Sequence, residues 1–223
     1  MADAAAQPRR IQALRIDQPI LCDAADKDIW RRARAQSDFT EPWAAPRGPI
    51  VCSVRVLWTN ACLYVRFDSS GAELAATRTA RHSDVCCDSC VEMFISPFRT
   101  APERYFTFEI NALGTMLNRK MDLSADPVLR EPWCPAGMRI GHSVTGTQVD
   151  DPASRAWCVE LAVPFDAFRW GAETFRPTPG AVWRVNFMRC GGRRLNPFLM
   201  WSPAQSPKPA YHQPKFFGEL EFL

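Results

Sequence analysis

No stretch of the 223-residue chain is apolar for long enough to cross a bilayer as a helix, which takes about 20 residues. The opening Met1 to Arg10 is Ala-rich and ends in two arginines, but no apolar run follows it of the kind a secretory leader requires. Lysine is scarce: Lys27, Lys120, Lys208 and Lys215 are the only four among 27 basic residues, and the net charge is +3. Without a dense run of cations, neither a nucleic acid nor an anionic membrane is an expected partner. Histidine is limited to His82, His142 and His212, and no H-E-x-x-H, G-x-S-x-G, P-loop or dinucleotide fingerprint occurs. The nine cysteines are scattered and odd in number, so no disulfide framework is expected, and reduced thiols in a cytoplasm are. Cys87-Asp-Ser-Cys90, preceded by Cys86, is formally a C-x-x-C. A zinc site of that type would need a second such pair, and a redox motif a βαβ context, so these are read as structural thiols.

Helical periodicity is also scarce. Residues 1–14 read as a disordered tail, and residues 15–223 as one domain. Asp28 to Ala35 reads as a short helix or turn capped by Asp26 or Asp28, with Trp30 packed on the domain. Val51 to Trp58 and Leu63 to Asp68 read as a hairpin around Thr59-Asn60-Ala61. Residues 69–87 read as loop, and Leu117 to Pro135 as a long loop covering one end. Met138 to Val149 and Ala156 to Val163 form a further pair separated by Asp150-Asp151-Pro152, followed by a helical turn at Pro164 to Phe168. Trp183 to Arg189, Phe198 to Trp201 and Phe217 to Phe222 complete the extended segments. Many short strands and little helix indicate an all-β sandwich of two antiparallel sheets, jelly-roll-like, with long loops.

The most informative stretch runs from Asp88 to Gly114. Val91, Met93 and Ile95 share one face, as do Phe106, Phe108 and Ile110; this period-two alternation marks strands with a buried face. A short polar loop from Pro97 to Arg104 pairs the two segments as a hairpin closed by Ser96 and Tyr105. Glu92 then stands opposite Glu109 on the other face. Directly opposed residues sit roughly 5 Å apart at Cβ, where like charges are destabilising. Such a pair calls for a cation, an arginine such as Arg66 or Arg189, a shared proton, or a ligand rich in hydroxyl donors.

The carboxyl-terminal part adds Asn186-Phe-Met-Arg189, Trp201-Ser-Pro203 and Tyr211-His212-Gln-Pro-Lys-Phe-Phe-Gly218. Rings beside planar polar groups suit sugars, whose apolar faces stack while their hydroxyls hydrogen-bond. Trp183 reads as core. Trp201 is equally a core residue or a stacking platform, and Tyr211 and His212, in a proline-bounded loop, are expected to be exposed. The candidate binding residues are Glu92, Glu109, Asn111, Arg189, Trp201, Tyr211 and His212.

These pieces, with Asp88-Ser-Cys-Val-Glu92-Met-Phe and Tyr105-Phe-Thr-Phe-Glu109-Ile-Asn111-Ala-Leu-Gly114, resemble the family 9 carbohydrate-binding modules in order from about Trp30 to Phe222. The resemblance implies a two-sheet sandwich with a non-catalytic role in binding carbohydrate, often at a chain's reducing end. It implies that Glu92 matches the family's binding glutamate. Of the two tryptophans that sandwich the sugar in the characterised modules, one position falls near Cys86 and the other on Tyr211; a binding arginine falls at Glu109. Structural calcium is a further implication, with ligands that do not map onto this sequence. The same sandwich class resembles the DOMON domains, whose haem-binding members would call on a methionine such as Met116, Met121, Met188 or Met200. The alternatives to sugar binding are an interaction domain that has kept the fold without the sugar, a haem binder, and a glycoside hydrolase using Glu92 and Glu109.

Overall fold

A computed structural model of the chain describes residues 8–44, 50–71, 74–145, 156–191 and 197–223. Among the described residues, fourteen strands carry the fold: β1 (Arg10–Arg15), β2 (Val51–Trp58), β3 (Cys62–Ser70), β4 (Cys90–Ser96), β5 (Arg104–Asn111), β6 (Met116–Asp122), β7 (Leu129–Pro132), β8 (Arg139–Thr145), β9 (Ala156–Pro164), β10 (Arg169–Trp170), β11 (Glu173–Thr174), β12 (Val182–Cys190), β13 (Leu199–Met200) and β14 (Gly218–Phe222). Helical structure among the described residues is confined to single 3-10 turns. The expected turn separating β8 from β9 lies outside the described residues.

The first sheet runs β7-β6-β5-β4-β12-β14-β1 and the second β1-β2-β3-β9-β8. β1 belongs to both. Its first half, Arg10 to Ala13, pairs with β14, and Leu14 and Arg15 pair with the end of β2. Both of these pairings are parallel, unlike the antiparallel ladders elsewhere in the two sheets. The expectation of a disordered tail through residue 14 is therefore corrected: Ile11 and Ala13 alternate with Arg10 and Gln12, and that pattern inserts a strand whose apolar residues enter the core.

The inner faces meet as anticipated. Val91, Met93 and Ile95 of β4 and Phe106, Phe108 and Ile110 of β5 pack against Val54, Val56, Leu63, Val65 and Phe67 of the second sheet. The outer faces are also covered. Residues 16–33 lie over the second sheet, burying Ile16, Ile20 and Trp30 against Leu57, Tyr64 and Ala162. On the first sheet, Phe94, Tyr105, Leu117, Met121 and Met188 are covered by Met200, Ala204, Tyr211 and Phe217. β4 is consequently buried at every position.

Two further expectations are corrected. Leu117 to Pro135 is not a long loop: β6 pairs with β5, and β7 with β6. Its apolar residues Leu117 and Met121 face outward into the second apolar layer, while Asn118 faces inward, so the usual alternation is inverted. The turn after Lys27 is a 3-10 helix over Asp28–Arg32 that has no side-chain cap, and what fixes it is the burial of Trp30.

Candidate functional site

Glu92 and Glu109 are direct cross-strand partners on the outer face of the first sheet, as alternation and loop length require. Both are nearly closed off, at 3% and 4% exposure. Burial pushes the Glu92 carboxyl well above the usual carboxylate range, reinforced by the Cys190 thiol and by Glu109. Burial also raises Glu109, to about 7, against the opposing pull of Arg119. Desolvation, more than mutual repulsion, raises both carboxyls. Glu92 Oε1 accepts from the Cys190 thiol at 3.0 Å, whereas Glu109 Oε1 has no hydrogen-bond partner among the described residues.

The nearest cation is neither Arg66 nor Arg189 but Arg119. Its guanidinium stands 3.9 Å from Glu109 Oε1 and is partly open to solvent. Arg119 is paired across from Thr107 on β6, one strand over and diagonal to Glu109, on the same face. The 79–87 loop completes this edge. His82 adopts a positive φ of 62°, its amide donates to Met116, and its buried Nδ1 is unbonded among the described residues. Burial, then Arg81 and Arg119, lower its pKa. Arg119 thus stands beside Glu109 and within electrostatic reach of His82, whose Nε2 meets the Cys134 sulfur at 3.4 Å; Glu109 and His82 each keep one buried atom unbonded among the described residues. Neither Arg119 nor His82 stands out in the sequence.

The remaining candidates are placed elsewhere. Asn111 is fully buried and fully used: its Nδ2 donates to Arg78 O and Asp88 Oδ2, and its Oδ1 accepts from the Leu113 and Thr115 amides. It builds the turn between β5 and β6. Arg189 pairs with inward-facing Val91 and points between the sheets, donating to Ser69, Cys190 and Gly191 and lying over the Trp157 ring. It is not brought to the carboxylate pair. Trp201 is core and no platform: it is 1% exposed and packs edge-on to Phe187. A Cβ on Gly218 would come within 2.5 Å of that indole, so the Phe-Phe-Gly ending is a packing requirement of Trp201.

Tyr211 is buried, contrary to expectation, with its hydroxyl donating to Arg189 O at 3.1 Å. Half-buried Trp43 covers it at 6.0 Å between ring centroids and also meets Phe198. His212 is exposed at one edge, while its ring stacks on Phe94 and Nδ1 shares a 2.8 Å hydrogen bond with the Tyr105 hydroxyl. Burial of that stacked and bonded side, followed by Arg130 and Arg119, draws its pKa down to about 4. Met121, Met188 and Met200 are packing residues of the outer apolar layer. The donors here also fail to suit calcium. The group of convergent metal-ligating side chains found among the described residues is Cys90, Glu92 and Cys190, whereas calcium takes 6–8 oxygens.

A two-sheet sandwich with a polar patch on one sheet face is an architecture that carbohydrate-binding modules use among other classes. The chain belongs to carbohydrate-binding family 9, whose model matches residues 42–222. Among solved structures, a candidate carbohydrate-binding protein from Bacteroides uniformis ATCC 8492 shares the fold at a TM-score of 0.78 and 21% identity, over 97% of this chain and 100% of that one. A family 9 module from Caldicellulosiruptor kristjanssonii matches at 14% identity in two complexes. The glucose complex gives a TM-score of 0.63 over 96% of each chain. The cellotriose complex gives 0.64 over 96% of this chain and 93% of that one. No curated protein sequence matches the chain.

Proposed function

We propose that this protein is a non-catalytic carbohydrate-binding module that takes a sugar at the Glu109–Arg119–His82 edge of the first sheet, with Glu92 beneath. The observation that carries this is Glu109 Oε1, a buried acceptor with no hydrogen-bond partner among the described residues, beside a guanidinium that reaches solvent. A buried unsatisfied acceptor costs roughly 1–3 kcal/mol, and a sugar hydroxyl donates the missing bond. Arg119 in turn donates to sugar oxygens. It thereby supplies, one strand over, the arginine that the family places where Glu109 stands. Trp43, lying over Tyr211, offers a large ring near the position where the family has its second tryptophan. The glucose and cellotriose complexes of the related module make glucose and short β-glucans the first ligands to try.

Binding is favoured over hydrolysis because the family whose model matches the chain is a carbohydrate-binding one. Calorimetric titration with glucose and cello-oligosaccharides, preceded by a glycan array, tests the proposal. Arg119→Ala and Glu109→Gln should each lower affinity by about 10–100-fold, the range for losing a hydrogen bond to a charged group, with an unchanged circular dichroism spectrum. Absence of any sugar ligand, or equal affinity in both variants, would remove this assignment.

A further inference from the structure

The cysteines that sugar binding leaves unused converge on one point. Cys90 of β4 and Cys190 of β12 are direct cross-strand partners, and Glu92 follows two residues along β4 on the same face. One donor atom from each of the three lies within 4.8 Å of the others, and all three residues are buried. The Cys190 thiol donates to Glu92 Oε1 at 3.0 Å, and its sulfur stands 3.4 Å from the Cys86 carbonyl oxygen. Cys86, exposed and with a free thiol, follows buried Val85 in the 3-10 turn Val85–Cys87. The backbone around this cluster is held closely. Gly191, directly after Cys190, has a φ of +77°, and a Cβ there would fall 1.5 Å from the Asp88 carbonyl oxygen. Beside the cluster, Glu109 has an unbonded buried Oε1, and the cation at 3.9 Å from it, Arg119, is partly exposed. Two thiols and two carboxyls are thus gathered in one buried place; the buried Arg189 guanidinium lies within electrostatic reach of both thiols but spends its hydrogen bonds on Ser69 and on the Cys190 and Gly191 carbonyls.

We propose that Cys90, Glu92 and Cys190 bind a thiophilic ion of the zinc class, with the Cys86 sulfur closing the site from above as fourth ligand. In tetrahedral zinc sites, sulfur at about 2.3 Å and carboxylate oxygen at about 2.0–2.2 Å leave neighbouring ligand atoms about 3.5–3.8 Å apart, so for Cys90, Glu92 and Cys190 rotamer shifts inside the present 4.8 Å envelope suffice, and the Cys86 sulfur swings in from outside it. Thiolate donors select zinc or monovalent copper over calcium. Binding releases to solvent one proton for each sulfur engaged and the proton of the ligating Glu92 carboxyl, and the bound charge becomes the counter-ion of the Glu92–Glu109 pair. Exposed Cys86 marks the route of entry.

Glu92 is shared with the proposed sugar site, but the metal site stands on the cysteines. Cobalt titration of the reduced full-length chain should give a thiolate-to-cobalt charge-transfer absorption saturating at one ion per chain, displaced by zinc with release of protons. Cys90→Ala and Cys190→Ala should weaken binding by more than the roughly 10–100-fold that loss of a supporting partner costs, while Cys62→Ala, on the second sheet, leaves it unchanged. Should the two core variants fail to fold, X-ray absorption of the wild-type zinc complex decides: sulfur ligands are expected. A wild-type protein with no cobalt–sulfur band, a zinc shell of oxygen and nitrogen alone, or undiminished binding in both variants overturns the metal site and leaves the sugar assignment standing.

Discussion

At the scale of single residues, the protein carries a carboxyl pair that its own burial penalises. The folded-state pKa of Glu109, about 7, lies above the roughly 4.3 of an exposed glutamate. The folded chain therefore holds that proton more tightly than the unfolded one. The stabilisation from this group is fully present below about pH 4.3 and is lost as pH rises through 7. Glu109→Gln keeps the shape and removes the titration. In denaturant melts the variant should lose less stability than wild type between pH 5 and pH 8, and at pH 8 it should be the more stable by roughly 1–3 kcal/mol. His212 titrates alike in both proteins and cancels. A variant less stable at pH 8 would mean that Arg119 already forms a stabilising ion pair with Glu109. The opposition of Glu92 and Glu109 was legible in the sequence, because alternation fixes the face and a short loop fixes the register. The contributions of Arg119 and His82 were not, because their proximity depends on β6 pairing with β5 and on the path of the 79–87 loop. Tyr211 was misplaced for a related reason: an aromatic residue among prolines suggests exposure until the segment is known to cover a second apolar face. Trp201, left open between core and platform, is core.

At the scale of elements, the segment 16–33 is held on the second sheet by one buried carboxylate. Glu160 is fully enclosed. Its oxygens accept from Trp30 Nε1 at 2.8 Å, the Ala24 amide at 3.0 Å, Arg66 at 2.8 Å and Lys27 at 3.2 Å. Removing one partner of a buried ionic cluster typically costs about 3–5 kcal/mol, because the others are left unpaired. Glu160→Ala should show a loss of that order in denaturant melts, together with faster amide exchange at Ala24. Unaltered exchange there would show that Ile16, Ile20 and Trp30 hold the segment by packing alone. The β4–β5 hairpin and the β2–β3 pair were readable because an unbroken alternating set of apolar residues, Val91, Met93, Ile95, Phe106, Phe108 and Ile110 in the one and Val54, Val56, Leu63, Val65 and Phe67 in the other, faces inward. β6 was not, since Leu117 and Met121 face outward and Asn118 inward, which looks aperiodic unless the outer cover is known. β1 was missed although Ile11 and Ala13 alternate correctly, because its few residues continue an alanine-rich start.

At the scale of the whole molecule, β1 is the seam joining the two sheets, and its pairing with β14 is parallel, Arg10 opposite Glu219 and Ala13 opposite Phe222. The backbone bonds from Glu219 to Arg9, Leu223 to Ala13 and Arg15 to Leu223 lie along this seam. The direction of that pairing governs how the protein bears tension. Pulled from the start of β1 against the end of β14, the two strands slide past one another and all their hydrogen bonds are loaded together. Pulled from Arg15 against Leu223, at the same end of the ladder, the bonds open one after another. Single-molecule stretching with handles at residues 10 and 223 should therefore record a clearly higher rupture force than handles at 15 and 223, and equal forces would place the mechanical barrier elsewhere. Tethered through its two ends, the sandwich is a clamp that resists being drawn apart along the line of its own chain.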